Sequence, residues 1–540
     1  MLKRIFRLLS PTEKRRGGWI ALSVLLRAIL DFAGVAALIP ILILLFNQNP
    51  DRMQAMLLCG AVLVFILLKN GFVMLLARFQ SRFLLELYRN FSRRMFINYY
   101  HRGLLFLKSK SSVQLGHEVN FVCYAFSLGI LSPLFRLVGE TLLLLMMVSA
   151  LIIWEPLSGL LLCLGFLPLV IFYIGVARKR LRRYGAEELE ARRQQSRTVV
   201  EAFRGYSELE ISQAFTHSLA SFDNGLLQIN HNRLRMETLQ LLPTCLSEIA
   251  IIVGLALLML TSDGNLGVMS GVFAVAAYRM IPAVRGILNS WASLQNAAYS
   301  IKVVADGIED NSKQPETDEA ASFSFKEKIE IKQLGFTYPD GTHVFSNLSI
   351  EIKQGERVGV KGISGSGKST LFNLLLGFYP PTEGKVLIDG RLLTTSNRSK
   401  WHKLVGYVPQ EIFIMQGTLA ENIAMGQKID SSKLHEVLQQ VQLTDWVKSL
   451  PLGIETSLGE YGNRLSGGQK QRIGIARALY KNAEILFFDE ATSALDNHTE
   501  QEINIALQQL SEQHRELTLI IIAHRESSLK FCNKIIEINP

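Results

Sequence analysis

Long apolar runs separated by polar stretches dominate the first 290 residues of the chain. A run of roughly twenty apolar residues can cross a lipid bilayer as a helix. Such runs occur at residues 19–46, 55–76, 134–154, 157–176, 241–261 and 268–288. Buried helices of a soluble protein are the alternative, but six runs in succession with one consistent charge bias disfavour it. We therefore predict a six-helix transmembrane domain over residues 1–305.

The segments that join these runs alternate in length and charge. Three short joins carry Arg52 as their only basic residue: 47–54, 155–156 and 262–267. The stretches 77–133 and 177–239 are long and rich in arginine and lysine. Because basic loops stay in the cytoplasm, we predict a multi-pass protein of the inner (cytoplasmic) membrane, with both termini and both long loops on the cytoplasmic side.

The pattern changes after the last apolar run. Residues 306–325 are polar and acidic, include Pro315, and are typical of a linker. From residue 326 to residue 540, strand-like runs alternate with helix-like runs, which predicts an α/β domain with a parallel sheet. The predicted fold is therefore multi-domain, with a transmembrane α-bundle followed by an α/β domain that is also expected to be cytoplasmic.

A glycine-rich loop stands at the start of this second half, after the strand-like run 357–360 and before the helix-like run 371–376. Glycines allow backbone N–H groups to surround a phosphate, and the following helix adds its positive end. In such a loop the lysine, Lys368, reaches the phosphates and the hydroxyl of Ser369 holds Mg²⁺. The predicted nucleotide-binding residues are Gly362, Ser364, Gly365, Ser366, Gly367, Lys368, Ser369 and Thr370.

Two carboxylates end an apolar strand more than a hundred residues later, at Asp489 and Glu490. A buried strand that delivers an aspartate beside a phosphate loop is suited to coordinating Mg²⁺. The adjacent Glu490 is placed to orient and activate a water molecule. Together with the loop, these residues predict a site for a nucleotide phosphate with Mg²⁺.

Charged residues within the apolar runs are costly in a bilayer and tend to face a cavity or a partner. Arg27 and Asp31, and likewise Arg136 and Glu140, are one helical turn apart and are able to neutralise each other. Lys69, Glu248, Arg279 and Arg285 have no such local partner. Our hypothesis is a basic cavity for an anionic substrate, with these candidate lining residues: Arg27, Arg136, Arg279 and Arg285.

The chain is similar to a known family at several further positions. Leu465-Ser466-Gly467-Gly468-Gln469 resembles the signature of ATP-binding-cassette (ABC) ATPases. The other family motifs are present in the family's order along the chain, and the resemblance implies a role for each. Tyr338 stacks on adenine, Gln410 senses Mg²⁺ and water, residues 493–496 cross a dimer interface, and His524 contacts the γ-phosphate.

The resemblance implies that ATP binds between the phosphate loop of one subunit and the signature of another. Ser466, Gly467, Gly468 and Gln469 then act in trans, and a homodimer is the simplest arrangement, with a heterodimer as the alternative. The expected catalytic residues are Lys368, Gln410, Glu490 and His524, and the expected Mg²⁺ ligands are Ser369, Gln410 and Asp489. Family members usually continue with further helices beyond the last strands, where this sequence ends.

Six helices ahead of one cassette resemble an exporter-type half-transporter. The run 271–282, with Glu248 in the preceding helix, resembles lipid-linked oligosaccharide flippases and related lipid or polysaccharide exporters. The expected function is ATP-driven export or flipping of an anionic lipid or lipid-linked glycan by alternating access. Exporters of peptides or hydrophobic drugs, and an ATP-gated channel or regulator, are the alternatives.

Composition agrees with this picture and excludes others. The net charge of +10 fits basic cytoplasmic loops better than nucleic-acid binding, so no nucleic-acid partner is expected. The five cysteines are scattered without a CxxC pair, which indicates neither a disulfide framework nor a zinc site. The expected partners are a second copy of the chain, membrane lipids and the transported substrate.

Overall fold

The computed structural model describes residues 2–41, 52–154, 156–261, 266–308, 324–459, 462–490, 497–523, 525 and 529–538. The chain divides into two compact units. The first comprises Met1–Arg102 and Phe106–Asn311, and the second comprises Gly103–Leu105 and Ser312–Pro540. Residues 309–323 of the predicted linker lie outside the described residues, so its bounds stay a prediction.

Helices form the described part of the chain up to residue 308. In order they are α1 (Leu2–Leu8), α2 (Pro11–Ala36), α3 (Arg52–His101), α4 (Leu104–Ser109), α5 (Ser112–His117), α6 (Cys123–Phe126), α7 (Ser132–Trp154), α8 (Pro156–Arg204), α9 (Tyr206–Ile211), α10 (Phe215–Thr261), α11 (Leu266–Asn296) and α12 (Ala298–Ile308). Two π-helical turns, Glu118–Val122 and Ser127–Leu131, join α5, α6 and α7.

The six predicted apolar runs fall on six of these helices, namely α2, α3, α7, α8, α10 and α11. Among the described residues, three stretches are long and apolar enough to span a membrane: Pro11–Ile41, Met53–His101 and Ser112–Ile153. Large apolar side chains such as Leu57, Leu68 and Met74 are exposed on α3. Exposed apolar residues at this density are typical of a helix in lipid, and the predicted bundle is confirmed.

The first turn of α2 is defined by a reciprocal cap. The hydroxyl oxygen of Ser10 accepts a hydrogen bond from the Glu13 backbone N–H at 3.3 Å, and Glu13 accepts one from the Ser10 backbone N–H at 2.8 Å. Pro11 occupies the first helical position, where its missing N–H has no cost. These residues set a corner between α1 and α2.

Two sheets build the second unit. Their strands are β1 (Lys328–Thr337), β2 (His343–Lys353), β3 (Arg357–Lys361), β4 (Glu383–Ile388), β5 (Arg391–Leu392), β6 (Val405–Val408), β7 (Ile485–Asp489), β8 (Thr518–Ile522) and β9 (Lys534–Glu537). The antiparallel sheet has the order β2-β1-β4-β5, and the other has the order β6-β7-β8-β3-β9. Every neighbouring pair in the second sheet is parallel, which confirms the predicted α/β architecture.

Helices of the second unit pack on both faces of this parallel sheet or against the helices that do so. They are α13 (Lys368–Leu375), α14 (Arg398–Leu404), α15 (Leu419–Ala424), α16 (Ser431–Gln440), α17 (Thr444–Ser449), α18 (Gly467–Tyr480) and α19 (Asn497–Gln513). Strand β7 is buried throughout, and its side chains alternate between two apolar cores. Leu486 and Phe488 enter the core that contains α18, whereas Ile485 and Phe487 enter the core that contains α13.

Candidate functional site

The glycine-rich loop connects β3 to α13, as predicted. Gly365 and Gly367 have φ values of +84° and +90°, a region that side chains with a Cβ rarely adopt. A Cβ on Gly367 would lie 2.3 Å from Cγ1 of Val344. A Cβ on Gly362 would lie 2.5 Å from the Ser366 hydroxyl. The loop therefore depends on glycine both for its backbone shape and for its space.

Two buried polar groups face inward on this loop. The Lys368 side chain is 5% exposed, and its ammonium donates hydrogen bonds of 2.9 Å to the carbonyl oxygens of Gly362 and Ile363. The Ser366 hydroxyl is buried and has no hydrogen-bond partner among the residues that the structure describes. A buried cation and an unsatisfied hydroxyl beside the N-terminus of α13 fit a phosphate group.

A hydroxyl and a carboxylate meet where β3 and β7 end. The Ser369 hydroxyl donates to Oδ1 of Asp489 at 3.3 Å, and the Tyr407 hydroxyl donates to Oδ2 at 3.3 Å. Burial, followed by the neighbouring Asp489 carboxylate, raises the pKa of the Tyr407 hydroxyl, which therefore remains a donor at neutral pH. Hard oxygen ligands of this kind suit Mg²⁺. Tyr407 was not identified from the sequence.

The second carboxylate, Glu490, is contacted by a residue that follows β6. The side-chain amide of Gln410 donates to Oε2 of Glu490 at 3.2 Å. Glu490 has a φ of +50°, an unusual backbone conformation for a glutamate. Strands β6 and β7 are direct neighbours, so Tyr407 in β6 reaches Asp489 and Gln410, just after β6, reaches Glu490. The structure thus brings Lys368, Ser369, Gln410, Asp489 and Glu490 to one edge of the parallel sheet.

The predicted adenine-stacking residue is close to the phosphate loop. The Tyr338 hydroxyl forms a hydrogen bond of 2.8 Å with the Thr370 hydroxyl in the first turn of α13. Its ring packs edge-on against Phe336 and Tyr379, with centroids 5.0 and 6.1 Å away. These two ring contacts and the hydroxyl hydrogen bond fix the position of the Tyr338 ring.

The signature segment caps a different helix. The Ser466 hydroxyl accepts a hydrogen bond from the Gln469 backbone N–H at 3.2 Å, and the Gln469 side chain accepts one from the Ser466 N–H at 2.9 Å. Ser466 and Gly467 are exposed, whereas Gly468 is buried. Because α18 and α13 pack in separate cores, the signature and the phosphate loop belong to different halves of the unit. His524 and residues 493–496 lie outside the described residues.

An ion-pair cluster occupies the membrane helices. Asp31 of α2 contacts Lys69 of α3 at 3.1 Å and Arg279 of α11 at 3.2 Å, and Arg27 lies 3.9 Å away. A Cβ on Gly34 would lie 3.2 Å from the Lys69 ammonium, so the glycine leaves room for this lysine. Three helices therefore meet at one carboxylate, and Lys69 joins the candidate residues that the sequence identified.

A cavity of about 380 Å³ opens beside this cluster, between α2, α3 and α7. Its charged lining consists of Arg27, Asp31, Arg136 and Glu140. Oε2 of Glu140 is buried and lacks a hydrogen-bond partner within the described part of the chain. Arg279 does not line the cavity itself but contacts Asp31, which does. Arg285 does not line the cavity. Two of the four predicted arginines therefore share a cavity, together with two carboxylates.

Comparisons with known proteins agree with this geometry. A family model described as "ABC transporter" matches residues 345–493. An ATP-dependent lipid A-core flippase of Bordetella avium (strain 197N) is 32% identical over 415 residues, which cover 74% of this chain and 68% of that protein. A second ATP-dependent lipid A-core flippase, from Cupriavidus metallidurans (strain CH34), is 30% identical over 495 residues, which cover 88% of this chain and 81% of that protein.

The chain belongs to the ABC transporter family. A solved structure described as a bacterial Atm1-family ABC exporter with ATP bound superposes on the transporter with a TM-score of 0.79. The superposition covers 97% of this chain and 94% of the exporter's chain, with 22% sequence identity. This similarity supports the exporter fold. The transporter is therefore an exporter-type half-transporter, a membrane protein with one helical bundle ahead of one ATP-binding cassette. The predicted family and fold class are confirmed.

The loop glycines of the transporter allow a matched test. Gly367→Ala combines an unfavourable φ with overlap on Val344, whereas Gly365→Ala has an unfavourable φ but open space around its Cβ. A left-handed alanine costs about 1–2 kcal/mol. We expect Gly365→Ala to weaken binding of a fluorescent ATP analogue about tenfold and Gly367→Ala to abolish it at the same concentrations. Equal losses in both variants would contradict the role of space at Gly367.

Proposed function

We propose that the transporter uses ATP to move an amphipathic, anionic lipid or lipid-linked glycan across the inner membrane by alternating access. The observation that carries this proposal is the cluster of Arg27, Lys69 and Arg279 around Asp31, beside a cavity of about 380 Å³. Counted with Arg136 and Glu140, which line the cavity, four cations stand beside two carboxylates, and this excess positive charge suits an anionic headgroup. The named relatives, which are ATP-dependent lipid A-core flippases, support the same substrate class.

ATP hydrolysis in this proposal depends on residues at the sheet edge. The loop N–H groups and Lys368 bind the phosphates, and Ser369, Gln410 and Asp489 hold Mg²⁺. When bound, Mg²⁺ neutralises charge on the phosphate oxygens. Glu490 accepts a proton from the attacking water, and Gln410 orients this carboxylate through the 3.2 Å hydrogen bond. His524 completes the site as a contact to the terminal phosphate.

A second copy of the chain completes each site. Ser466, Gly467, Gly468 and Gln469 contribute the positive end of α18 to ATP bound by the partner's loop. The exposure of Ser466 and Gly467 and the separate core of α18 support this arrangement. We further propose a membrane domain over residues 1–305, a linker over 306–325 and a cytoplasmic cassette over 326–540, with both termini cytoplasmic.

Reconstitution tests the substrate class. The purified transporter in liposomes is supplied with ATP and with lipid-linked glycans, zwitterionic phospholipids or peptides, and movement of each across the bilayer is measured. We expect transport of the anionic glycolipids. Alanine replacement of an arginine that contacts the substrate should raise the substrate concentration at half-maximal transport at least about tenfold, because a charge-assisted hydrogen bond is lost. The four replacements are Arg27→Ala, Arg136→Ala, Arg279→Ala and Arg285→Ala.

The matched control is Arg197→Ala, which removes an exposed arginine that pairs with Glu201 on the cytoplasmic part of α8. This variant should transport normally. Normal transport by all four membrane variants would refute the basic cavity. Transport of peptides in place of lipids would refute the substrate class while leaving ATP-driven transport intact.

A further inference from the structure

Tyr407 of β6 lies on the same face of the parallel sheet as the phosphate loop. Side chains alternate between the two faces of a strand. Val405 and Tyr407 pack in or against the core that contains α13, whereas Val408 packs in the core that contains α18. The helix that follows the phosphate loop and the Tyr407 side chain are therefore on one side of the sheet.

The ring and the hydroxyl of Tyr407 make separate contacts. The ring packs against the core that contains Phe372 and Tyr379. The hydroxyl donates to Oδ2 of Asp489, at the end of the neighbouring strand β7, at 3.3 Å. A phenylalanine would fill the same space in this core, so packing explains the ring but not the hydroxyl.

The two carboxylate oxygens of Asp489 have different neighbours. Asp489 is 8% exposed, and its Oδ1 accepts a hydrogen bond from Ser369, which is itself a proposed Mg²⁺ ligand. Oδ2 accepts its hydrogen bond from Tyr407, which does not belong to the proposed ligand set. An ionised carboxylate only accepts, so both hydroxyls donate. Oδ1 is therefore the oxygen beside the other metal ligand, and Tyr407 holds the opposite oxygen.

We propose that Tyr407 is a positioning residue for Mg²⁺, and that its hydroxyl orients the Asp489 carboxylate toward the metal when ATP is bound. Groups that hydrogen-bond to a metal ligand fix its orientation, and their loss typically costs about 10–100-fold in metal affinity. The proposal rests on the ATP site with Mg²⁺ described under the proposed function. It does not depend on which cargo is transported.

This role gives one short segment control of both carboxylates at the end of β7. Tyr407 contacts Asp489, and Gln410, three residues later, contacts Glu490 at 3.2 Å. The metal ligand and the proposed general base are thus oriented by the same part of the chain. Mg²⁺ demands near-ideal octahedral geometry, whereas Ca²⁺ tolerates six to eight ligands in flexible geometry. An orienting hydroxyl should therefore matter more for Mg²⁺ than for Ca²⁺.

Binding of a fluorescent, non-hydrolysable ATP analogue to full-length Tyr407→Phe tests the proposal without measuring hydrolysis or transport. The affinity of the transporter for the analogue is measured in EDTA, in Mg²⁺ and in Ca²⁺. We expect the affinity in EDTA to be unchanged, because the phosphate loop and Lys368 are intact. The affinity in Mg²⁺ should fall about tenfold, and the affinity in Ca²⁺ should fall by less than about threefold.

The matched control is Tyr480→Phe, which removes a tyrosine hydroxyl from the other core of the cassette. Tyr480 is 2% exposed, and its hydroxyl donates to the Lys428 carbonyl oxygen and accepts from the Asp430 N–H, both at 2.8 Å. Loss of these hydrogen bonds should lower the thermal midpoint of the transporter. It should leave the affinity for the analogue unchanged under all three conditions.

Equal losses of affinity in EDTA and in Mg²⁺ would overturn the proposal, because Tyr407 would then support the loop and not the metal ligand. Equal losses in Mg²⁺ and Ca²⁺, or an equal loss in Tyr480→Phe, would also overturn it. If Mg²⁺ raises the affinity of the unaltered transporter and of Tyr407→Phe alike, the role of Tyr407 alone is refuted. If Mg²⁺ does not raise the affinity of the unaltered transporter, the proposed metal site is refuted together with this role.

Discussion

Replacing Glu490 with glutamine is expected to reduce ATP turnover by about 100-fold or more while ATP still binds. A general base contributes roughly 10²–10⁴ to a rate, and an amide cannot accept the proton that a carboxylate accepts. The amide keeps an oxygen that can accept the 3.2 Å hydrogen bond from Gln410, so the position of the side chain is preserved. Phosphate release and binding of a fluorescent ATP analogue, measured on the same preparation, separate the two effects.

Glu484→Gln is the matched control for this experiment. Glu484 immediately precedes β7, at the opposite end of the strand from Glu490, and its side chain is exposed. The same chemical change there should leave both binding and turnover intact. ATP turnover at the normal rate in Glu490→Gln would show that Glu490 is not the general base. Loss of ATP binding in this variant would show that Glu490 acts in binding instead.

Asp31→Asn is expected to produce the largest loss of stability in the membrane unit. The Asp31 and Lys69 side chains are both only 14% exposed, and Arg279 lies on the other carboxylate oxygen. Breaking a buried ion pair from one side costs about 3–5 kcal/mol because the remaining charge stays buried. We expect about 2–3 kcal/mol here, since Arg279 and Arg27 are partly exposed and better screened. The thermal midpoint in a fixed detergent should fall by roughly 5 °C.

Two variants make that result specific. Glu237→Gln breaks an exposed pair with Arg233 and should change the midpoint little. The double variant Asp31→Asn with Lys69→Gln removes one of the stranded cations and should recover part of the lost stability. An unchanged midpoint in Asp31→Asn would show that water or lipid already solvates these cations.

Much of the fold and of the nucleotide site could be predicted because its signals are local. Apolar runs of bilayer length and alternating strand and helix patterns are properties of consecutive residues, and they correspond to α2, α3 and the β3–α13 unit. The phosphate loop likewise needs residues that are adjacent in the chain, from Gly362 to Thr370. The capping box of Ser466 and Gln469 is also local, because its partners are three residues apart, but the structure and not the sequence analysis identified it.

Contacts between residues that are far apart in the sequence could not be predicted from such local patterns. Helical spacing pairs Arg27 with Asp31, yet these residues are 3.9 Å apart, whereas Lys69 and Arg279, which have no local partner, contact Asp31 at 3.1 and 3.2 Å. Tyr407 approaches Asp489 only because β6 and β7 become neighbours in the sheet. A single sequence records spacing along the chain and not which helices or strands pack together.

The sequence by itself therefore determined the class of protein, the order of its two domains and the residues that surround a phosphate. The tertiary structure decided which charges meet inside the membrane bundle and which hydroxyls hold Asp489. The physical reason is that a motif is recognisable when its groups are separated by a fixed number of residues. Packing instead joins groups across tens to hundreds of residues, where only the three-dimensional arrangement sets their distances.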